Sequence, residues 1–65
     1  MKNSLVGFRK IFDISQNQLA KDLSVSRQTI ISIENGRNNP SLVLAFKIAK
    51  KFNCSIETVF HYEDD

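Results

Sequence analysis

The stretch SRQTIISIENGR, residues 26–37, constrains the fold most strongly because it carries two opposed secondary-structure signals. Four of its residues are β-branched, which favours strands: Thr29, Ile30, Ile31 and Ile33. Ser26 in front and Asn35–Gly36 behind are instead typical of a helix start and a helix stop. A helix separates the apolar from the polar residues better than a strand does, and β-branching costs it only about a few tenths of a kcal/mol per residue. We therefore predict a helix over residues 27–35.

The two faces of this predicted helix have different compositions. The inward face is expected to contain Ile30, Ile33 and Glu34. The outward face is expected to contain Arg27, Gln28, Ile31, Ser32 and Asn35. A polar, basic outward face indicates that this helix touches another molecule.

Two further helices are predicted before this stretch. The first covers residues 4–12 and ends at Asp13, a residue type that tolerates the left-handed conformation better than most. The second begins at Ser15, which together with Gln18 fits the S-x-x-Q capping box. Its inner face is expected to consist of Leu19, Ala20 and Leu23. Residues 15–35 therefore form two short helices joined by a tight turn.

Two more helices are predicted towards the C-terminus. Pro40 is expected at the first position of the fourth helix, where its missing N–H does no harm. The inner stripe of that helix is expected to contain Leu42, Ala45, Ile48, Ala49 and Phe52. Ser55 caps a short fifth helix, and the core is closed there by Ile56, Val59 and Phe60. Residues 61–65 are either a frayed end or a short strand, so the predicted fold class is all-α with five helices.

Charge is unevenly distributed along the chain. Residues 1–56 contain all nine Lys and Arg against three acidic residues, a net charge of +6, within a total of +2. Residues 57–65 contain four acidic residues and no basic one. A basic body with an acidic tail favours a polyanionic partner; a solvated surface is the alternative.

Composition argues against several other classes of protein. The longest apolar run, residues 42–46, has five residues, against about 20 needed to span a bilayer. We expect no membrane partner and a cytoplasmic location. Nucleophile–base pairs, metal-ligand clusters and glycine-rich phosphate loops are all missing from the sequence, so neither an enzyme nor a cofactor is expected.

The single cysteine and the C-terminal histidine are weak site candidates. Because Cys54 is the single cysteine of the chain, no internal disulfide can form, which suits a reducing compartment. It is expected to be a small buried hydrophobe, and a redox switch is the alternative. His61, Glu63 and Asp64 are the nearest approach to a ligand cluster, and no metal site is predicted from them.

The pair of helices in residues 15–35 fits a helix-turn-helix. In that motif the first helix crosses the DNA backbone and the second lies in the major groove. Arg27 and Gln28 lie at the exposed start of the second helix, and their side chains suit guanine O6/N7 and adenine N6/N7 respectively. Gln16 begins the first helix, where the helix dipole also attracts phosphate.

The stretch SQNQLAKDLSVSRQTIISIENGRNNPSL closely resembles the Cro/CI-type (XRE-like) helix-turn-helix family of bacterial and phage transcription regulators. The resemblance covers roughly residues 5–60 and includes SRQTI, IENG and NPSL in order at the family's distances. More narrowly, the chain is similar to short stand-alone bacterial regulators without an effector domain. The resemblance implies a single five-helix DNA-binding domain over residues 1–65 that acts as a homodimer on operator DNA.

The resemblance also implies roles for particular residues. Family base-reading positions match Arg27, Gln28 and Ser32. Family phosphate-contacting positions match Gln16 and Asn35, and the loop beside the DNA backbone matches Arg37 and Asn38. Arg9 and Glu34 match a largely buried salt bridge, which explains an arginine on the apolar face of the first helix.

Several residues keep more than one interpretation. Ile31 is exposed, packs against neighbouring side chains, or contacts a thymine methyl group. Lys21, Arg37 and Lys10 are surface charges first and phosphate ligands second. Phe60 and Tyr62 close the core or form a dimer contact. Some residues depart from the family pattern, and these departures leave the dimer surface and the base preference open: Val6, Ile11, Asp13, Ile31 and Val43.

The function predicted from the sequence is a sequence-specific DNA-binding regulator. We expect a repressor that binds double-stranded DNA as a homodimer, on an inverted repeat with half-sites about 34 Å apart. The alternative is an antitoxin-like protein-interaction module. Only residues 61–65 extend past the predicted core, which argues against that alternative.

Overall fold

Five helices and a small antiparallel sheet form from residues 1–63, the part of the chain that the computed structural model describes. The helices are α1 (Leu5–Ile11), α2 (Gln16–Leu23), α3 (Arg27–Glu34), α4 (Leu42–Lys51) and α5 (Ile56–Val59). The strands are β1 (Lys2–Asn3) and β2 (Phe60–His61). The predicted five-helix fold is confirmed, and a short C-terminal strand does form, although it covers Phe60–His61 and includes only the first of residues 61–65. Residues 64 and 65, and with them Asp64 of the weak metal candidate, lie outside the described residues.

Serine hydroxyls begin three of the helices. Ser15 accepts a hydrogen bond from the backbone N–H of Gln18 at 3.0 Å, and Ser26 accepts one from that of Thr29 at 3.1 Å. Ser41 does the same for α4. Each such cap contributes about 1 kcal/mol. The reciprocal half of the predicted capping box does not form, because the Gln18 amide donates to Asp22 Oδ1 instead, at 2.7 Å.

The start of α4 differs from the prediction. Ser41 is the N-cap and Leu42 is the first helical residue, so Pro40 precedes the cap and is not the first residue of the helix. The Leu44 N–H donates to Ser41 Oγ at 3.1 Å, and this bond fixes Ser41 rather than Asn39 as the N-cap. Leu42 was also wrongly assigned to the core and is 69% exposed. It has the right angular position, but in the first turn its side chain points towards the open N-terminal end of the helix.

One apolar core joins all five helices. Its fully buried side chains are Leu5, Leu19, Ile30, Ile33, Ile48 and Val59. Phe52 packs edge-on against Phe12 and tilted against Phe8, with ring centroids 5.0 and 5.4 Å apart. These contacts pack α2 and α3 against α1 and α4. The inward face of α3 is therefore held in the core while its outward face is turned to solvent.

Strand β1 pairs with β2 and, through Asn3, also contacts α1 and α3. Lys2 pairs with His61 and Asn3 with Phe60. The Asn3 side chain donates from Nδ2 to the Ile33 carbonyl at 2.8 Å and accepts from the Leu5 N–H at 3.1 Å. One asparagine thereby joins the last turn of α3 to the first turn of α1. Within residues 1–63, no helix is long and apolar enough to cross a membrane.

Candidate nucleic-acid interface

The turn between α2 and α3 is short and well hydrogen-bonded. Ser24 ends α2 in the left-handed conformation, with φ 59°. The Val25 N–H bonds to the Ala20 carbonyl at 3.0 Å, and Ser26 then begins α3 as its N-cap. Three residues therefore turn the chain between the helices, as a helix-turn-helix requires.

The two faces of α3 differ in burial. Ile30 and Ile33 are 0% and 2% exposed. Arg27 and Gln28, at the N-terminal end of α3, are exposed. This end of α3 therefore presents one guanidinium and one carboxamide to solvent, the two groups best suited to guanine and adenine edges.

Ile31 and Ser32 lie farther along the same side of α3, and both are half-buried. Ile31 is thus not simply exposed, which leaves packing against neighbours and contact with a thymine methyl as its two interpretations. The Ser32 carbonyl accepts from the N–H groups of Arg37 and Asn38, at 3.0 and 3.3 Å. This residue therefore also anchors the loop that follows α3.

A buried ion pair joins α1 to α3. Arg9 Nε lies 2.6 Å from Glu34 Oε2, and the two side chains are 15% and 5% exposed. Arg9 Nη1 also donates to the Ile14 carbonyl at 3.1 Å. Gln16 Nε2 donates to the other carboxylate oxygen, Oε1, at 2.8 Å. Both oxygens of Glu34 are therefore satisfied, as a charge in a low-dielectric site requires.

Gln16 continues this network to the surface. Its Oε1 lies 3.4 Å from Arg27 Nε and 3.3 Å from Arg27 Nη2. Together Arg9, Glu34, Gln16 and Arg27 form what we call the Glu34 network. The Gln16–Arg27 bonds are long and exposed, so they orient Arg27 while leaving its guanidinium easy to transfer to another acceptor.

Sequence reasoning placed Gln16 only against phosphate and missed its bond to Glu34. The signal available in the sequence was chemical: a buried carboxylate has two oxygens, and the predicted Arg9 pair accounts for one of them. The role of Asn3 was also missed. No pattern in the sequence links it to Ile33, which lies 30 residues away.

The remaining predicted phosphate ligands are exposed. They are Asn35, Arg37, Asn38, Lys21 and Lys10. Asn35 is the C-cap of α3, and Gly36 follows it with φ +75°. A Cβ at Gly36 would lie 3.3 Å from the Met1 carbonyl oxygen, so both conformation and space favour glycine. The turn keeps the basic loop of residues 37–38 directly beside the end of α3.

The C-terminal residues considered for a dimer contact, a thiol site or a metal site differ in their burial and contacts. Phe60 is 7% exposed and belongs to the core, whereas Tyr62 is 77% exposed. Cys54 is half-buried and free. His61 Nε2 contacts Ser4 Oγ at 2.7 Å, and Glu63 pairs with Lys2 at 2.9 Å. Within residues 1–63, no group of three His, Cys, Asp or Glu residues could hold a metal ion.

Comparison with known proteins agrees with this geometry. The profile of the helix-turn-helix family matches residues 8–59, most of the chain. The chain therefore belongs to this family, in its Cro/CI-type class. Members bind DNA to regulate transcription, and the chain is accordingly a DNA-binding regulator rather than an enzyme.

Relatives of similar length occur in archaea and bacteria. An uncharacterized HTH-type transcriptional regulator of Methanocaldococcus jannaschii is 58% identical over 65 residues, covering 100% of this chain and 98% of that protein. One from Archaeoglobus fulgidus is 43% identical, covering 100% and 92%. The regulator YgzD of Bacillus subtilis is 43% identical, covering 100% and 98%. The resemblance found in the sequence is confirmed, and it extends beyond bacteria.

Proposed function

We propose that residues 1–65 act as one cytoplasmic DNA-binding domain, a transcriptional repressor that binds an inverted-repeat operator as a homodimer. The observation that carries this proposal is the Glu34 network. It connects the exposed Arg27 at the start of α3 to the Arg9–Glu34 ion pair, in which the Glu34 side chain is 5% exposed. A guanidinium supported in this way is ordered before it meets a base, which reduces the entropy lost on binding.

In this proposal α3 lies in the major groove and supplies the base contacts. Arg27 donates to guanine O6 and N7, and Gln28 pairs with adenine N6 and N7. Ser32 and Ile31 contact the next bases, the latter through a thymine methyl. Each good bidentate contact contributes about 1–3 kcal/mol of discrimination against the wrong base.

Phosphate contacts surround this helix. Gln16 reaches a phosphate from the start of α2, and the other donors lie at the end of α3, in the loop after it and on α2: Asn35, Arg37, Asn38 and Lys21. Phosphate contacts fix register and orientation but carry no sequence information. Because Gln16 Oε1 holds Arg27 in the free protein, we infer that DNA binding transfers Arg27 to a base without disturbing the Gln16–Glu34 bond.

The test is selection of bound sequences from random DNA, followed by footprinting of the selected site. The proposal predicts an inverted repeat with half-sites about one helical turn, or 34 Å, apart. It also predicts that the bound site overlaps a promoter, with transcription falling when protein is added. Absence of binding to any DNA at low salt would contradict the proposal, and increased transcription would contradict the repressor assignment alone.

A further inference from the structure

Lys2 is an exposed basic residue of β1 to which the proposed function assigns no contact. One depression in the surface beside it is also lined by Asn35 and Gly36. A second depression is also lined by Asn39. These three residues belong to the segment that follows α3. Lys2 therefore lies next to the loop between α3 and α4.

Hydrogen bonds attach β1 to the end of α3 on both sides of Lys2. The Met1 nitrogen donates to the Gly36 carbonyl at 3.4 Å, and Asn3 Nδ2 donates to the Ile33 carbonyl at 2.8 Å. The pairing of β1 with β2 also supports the strand. Because the residues before and after it are attached, the backbone of Lys2 has a fixed place beside the loop, and its side chain is free to move.

The same loop supplies phosphate contacts of the proposed DNA complex at this end of α3. Asn35, Arg37 and Asn38 are all exposed there. Phosphates follow one another closely along DNA, with one negative charge per ~1.7 Å of helix axis. A cation that adjoins the loop therefore adjoins further phosphates of the same backbone. A lysine ammonium on its flexible four-carbon stem binds a phosphate as a point charge.

We propose that Lys2 is a further phosphate ligand, so that the DNA-contacting surface extends from the loop onto β1. This inference rests on the proposed function, since it adds a contact to the same DNA complex. Lys2 contacts the backbone and no base, so it contributes to the affinity for every sequence and not to the choice of operator.

Glu63 holds the Lys2 ammonium in the free protein. Lys2 Nζ lies 2.9 Å from Glu63 Oε1, and the two side chains are 76% and 61% exposed. The other two salt bridges among residues 1–63 are less exposed, at 15% and 5% for one and 33% and 26% for the other. An exposed pair contributes little stability, so a phosphate can replace this carboxylate at small cost. Glu63 is therefore an internal competitor of the DNA for Lys2.

The first experiment measures how the salt dependence of DNA binding changes in Lys2→Gln. Fluorescence anisotropy gives the association constant on the selected operator and on a random duplex over a range of salt concentrations. We expect the slope of log K against log [salt] to become shallower by about 0.9 per bound chain, as the loss of one phosphate contact requires. The change should be equal on the two duplexes, since a phosphate contact carries no sequence information.

Two control variants separate this contact from the overall charge. Lys2→Arg keeps the charge at this position, so it should keep the wild-type slope. Lys47→Gln removes the same charge from an exposed position of α4 that borders neither depression, and it should also keep the wild-type slope. Circular dichroism checks that each variant is folded, which the exposure of both lysines favours.

The second experiment tests the competition by Glu63 with a double-mutant cycle. Glu63→Gln should tighten binding to both duplexes by about threefold, the effect of an exposed ion pair. In the Lys2→Gln background the same substitution should have no effect, because the cation for which carboxylate and phosphate compete is missing. Glu57→Gln removes the same charge from an exposed position of α5, and it should leave the affinity unchanged.

The possible outcomes are distinct. A shallower slope for Lys2→Gln, with an effect of Glu63→Gln that depends on Lys2, supports the inference. An unchanged slope for Lys2→Gln overturns it and leaves the proposed function intact, because the wild-type chain still binds its operator. An equal effect of Glu63→Gln with and without Lys2 overturns the role of Glu63, since that effect then comes from overall charge. A wild-type chain that binds no DNA overturns the proposed function and this inference together.

Discussion

Glu34 is the residue on which the interface depends most. Its two carboxylate oxygens accept from Arg9 and Gln16, at 2.6 and 2.8 Å. Through Gln16 the same charge is connected to the exposed Arg27. A buried ion pair of this kind adds little stability compared with apolar residues, but breaking it leaves a charge stranded in the core. The value of this arrangement therefore lies in fixing side-chain positions.

Replacing Arg9 by Ala should lower the free energy of unfolding by about 3–5 kcal/mol, because Glu34 is left buried without its cation. Urea denaturation followed by circular dichroism measures the change. Lys2→Ala is the matched control, since it breaks an ion pair whose side chains are 76% and 61% exposed and should change stability by less than about 1 kcal/mol. Equal effects of the two substitutions would show that the Arg9–Glu34 pair is not buried in solution.

Replacing Arg27 by Ala should weaken binding to the operator by about 1–3 kcal/mol and relax the preference at one base position. Arg37→Ala removes a charge from the loop instead, so it should weaken binding to all sequences alike. Electrophoretic mobility shifts on the operator and on random DNA distinguish the two patterns. If Arg27→Ala weakens binding to the operator and to random DNA equally, Arg27 does not make the proposed base contact.

The helices show how much of the fold the sequence predicts. Ser15, Ser26 and Asp13 were assigned correctly because caps and left-handed stops are local, encoded within a few residues. The predicted start of α4 was wrong because Pro40 and Ser41 both suit a helix start. Only the hydrogen bond from the Leu44 N–H to Ser41 distinguishes them. Strand β1 was not predicted, since two residues carry no periodicity and the partner strand begins at residue 60.

Strand β1 positions α3 through Asn3. Replacing Asn3 by Ala removes the bond to the Ile33 carbonyl and the acceptor for the Leu5 N–H. Loss of part-buried partners should destabilise the protein by about 1–3 kcal/mol and speed amide hydrogen exchange in the last turn of α3. Asn17→Ala on the exposed side of α2 is the control. Unchanged exchange in α3 would show that Asn3 does not hold this helix.

A salt bridge connects α2 to α4, with Lys51 Nζ 2.8 Å from Asp22 Oδ2. Hydrogen bonds from Lys51 and then Gln18 lower the pKa of Asp22 below its usual 3.8. The folded state therefore gains stability from this carboxylate above pH 3.8, and loses it as the pH falls through the lower folded value. Lys51→Ala should raise the pKa of Asp22 in an NMR titration, whereas Lys50→Ala should leave it unchanged. If the pKa of Asp22 is the same in the two variants, the salt bridge to Lys51 is not what lowers it.

At the scale of the whole molecule, the charge pattern and the core have separate tasks. The net charge of +6 in residues 1–56 favours association with a polyanion and makes it salt-dependent. The core packs α2 against α3 and so holds the outward residues of α3 on one helix face. Class of protein and placement of the helix-turn-helix followed from the sequence, because both depend on spacing along the chain. The Gln16–Glu34 bond did not, because it arises where distant segments of the chain pack together.

We propose that two copies of α3 occupy successive major grooves of one operator. The most direct measurement is the affinity of the wild-type chain for its selected inverted repeat, compared with the same half-sites separated by half a helical turn more. Because the half-sites then face opposite sides of the duplex, we predict that binding weakens by at least about tenfold towards the affinity of a single half-site. Equal affinity for the two spacings would show that the two copies of α3 do not bind successive major grooves on one side of the duplex.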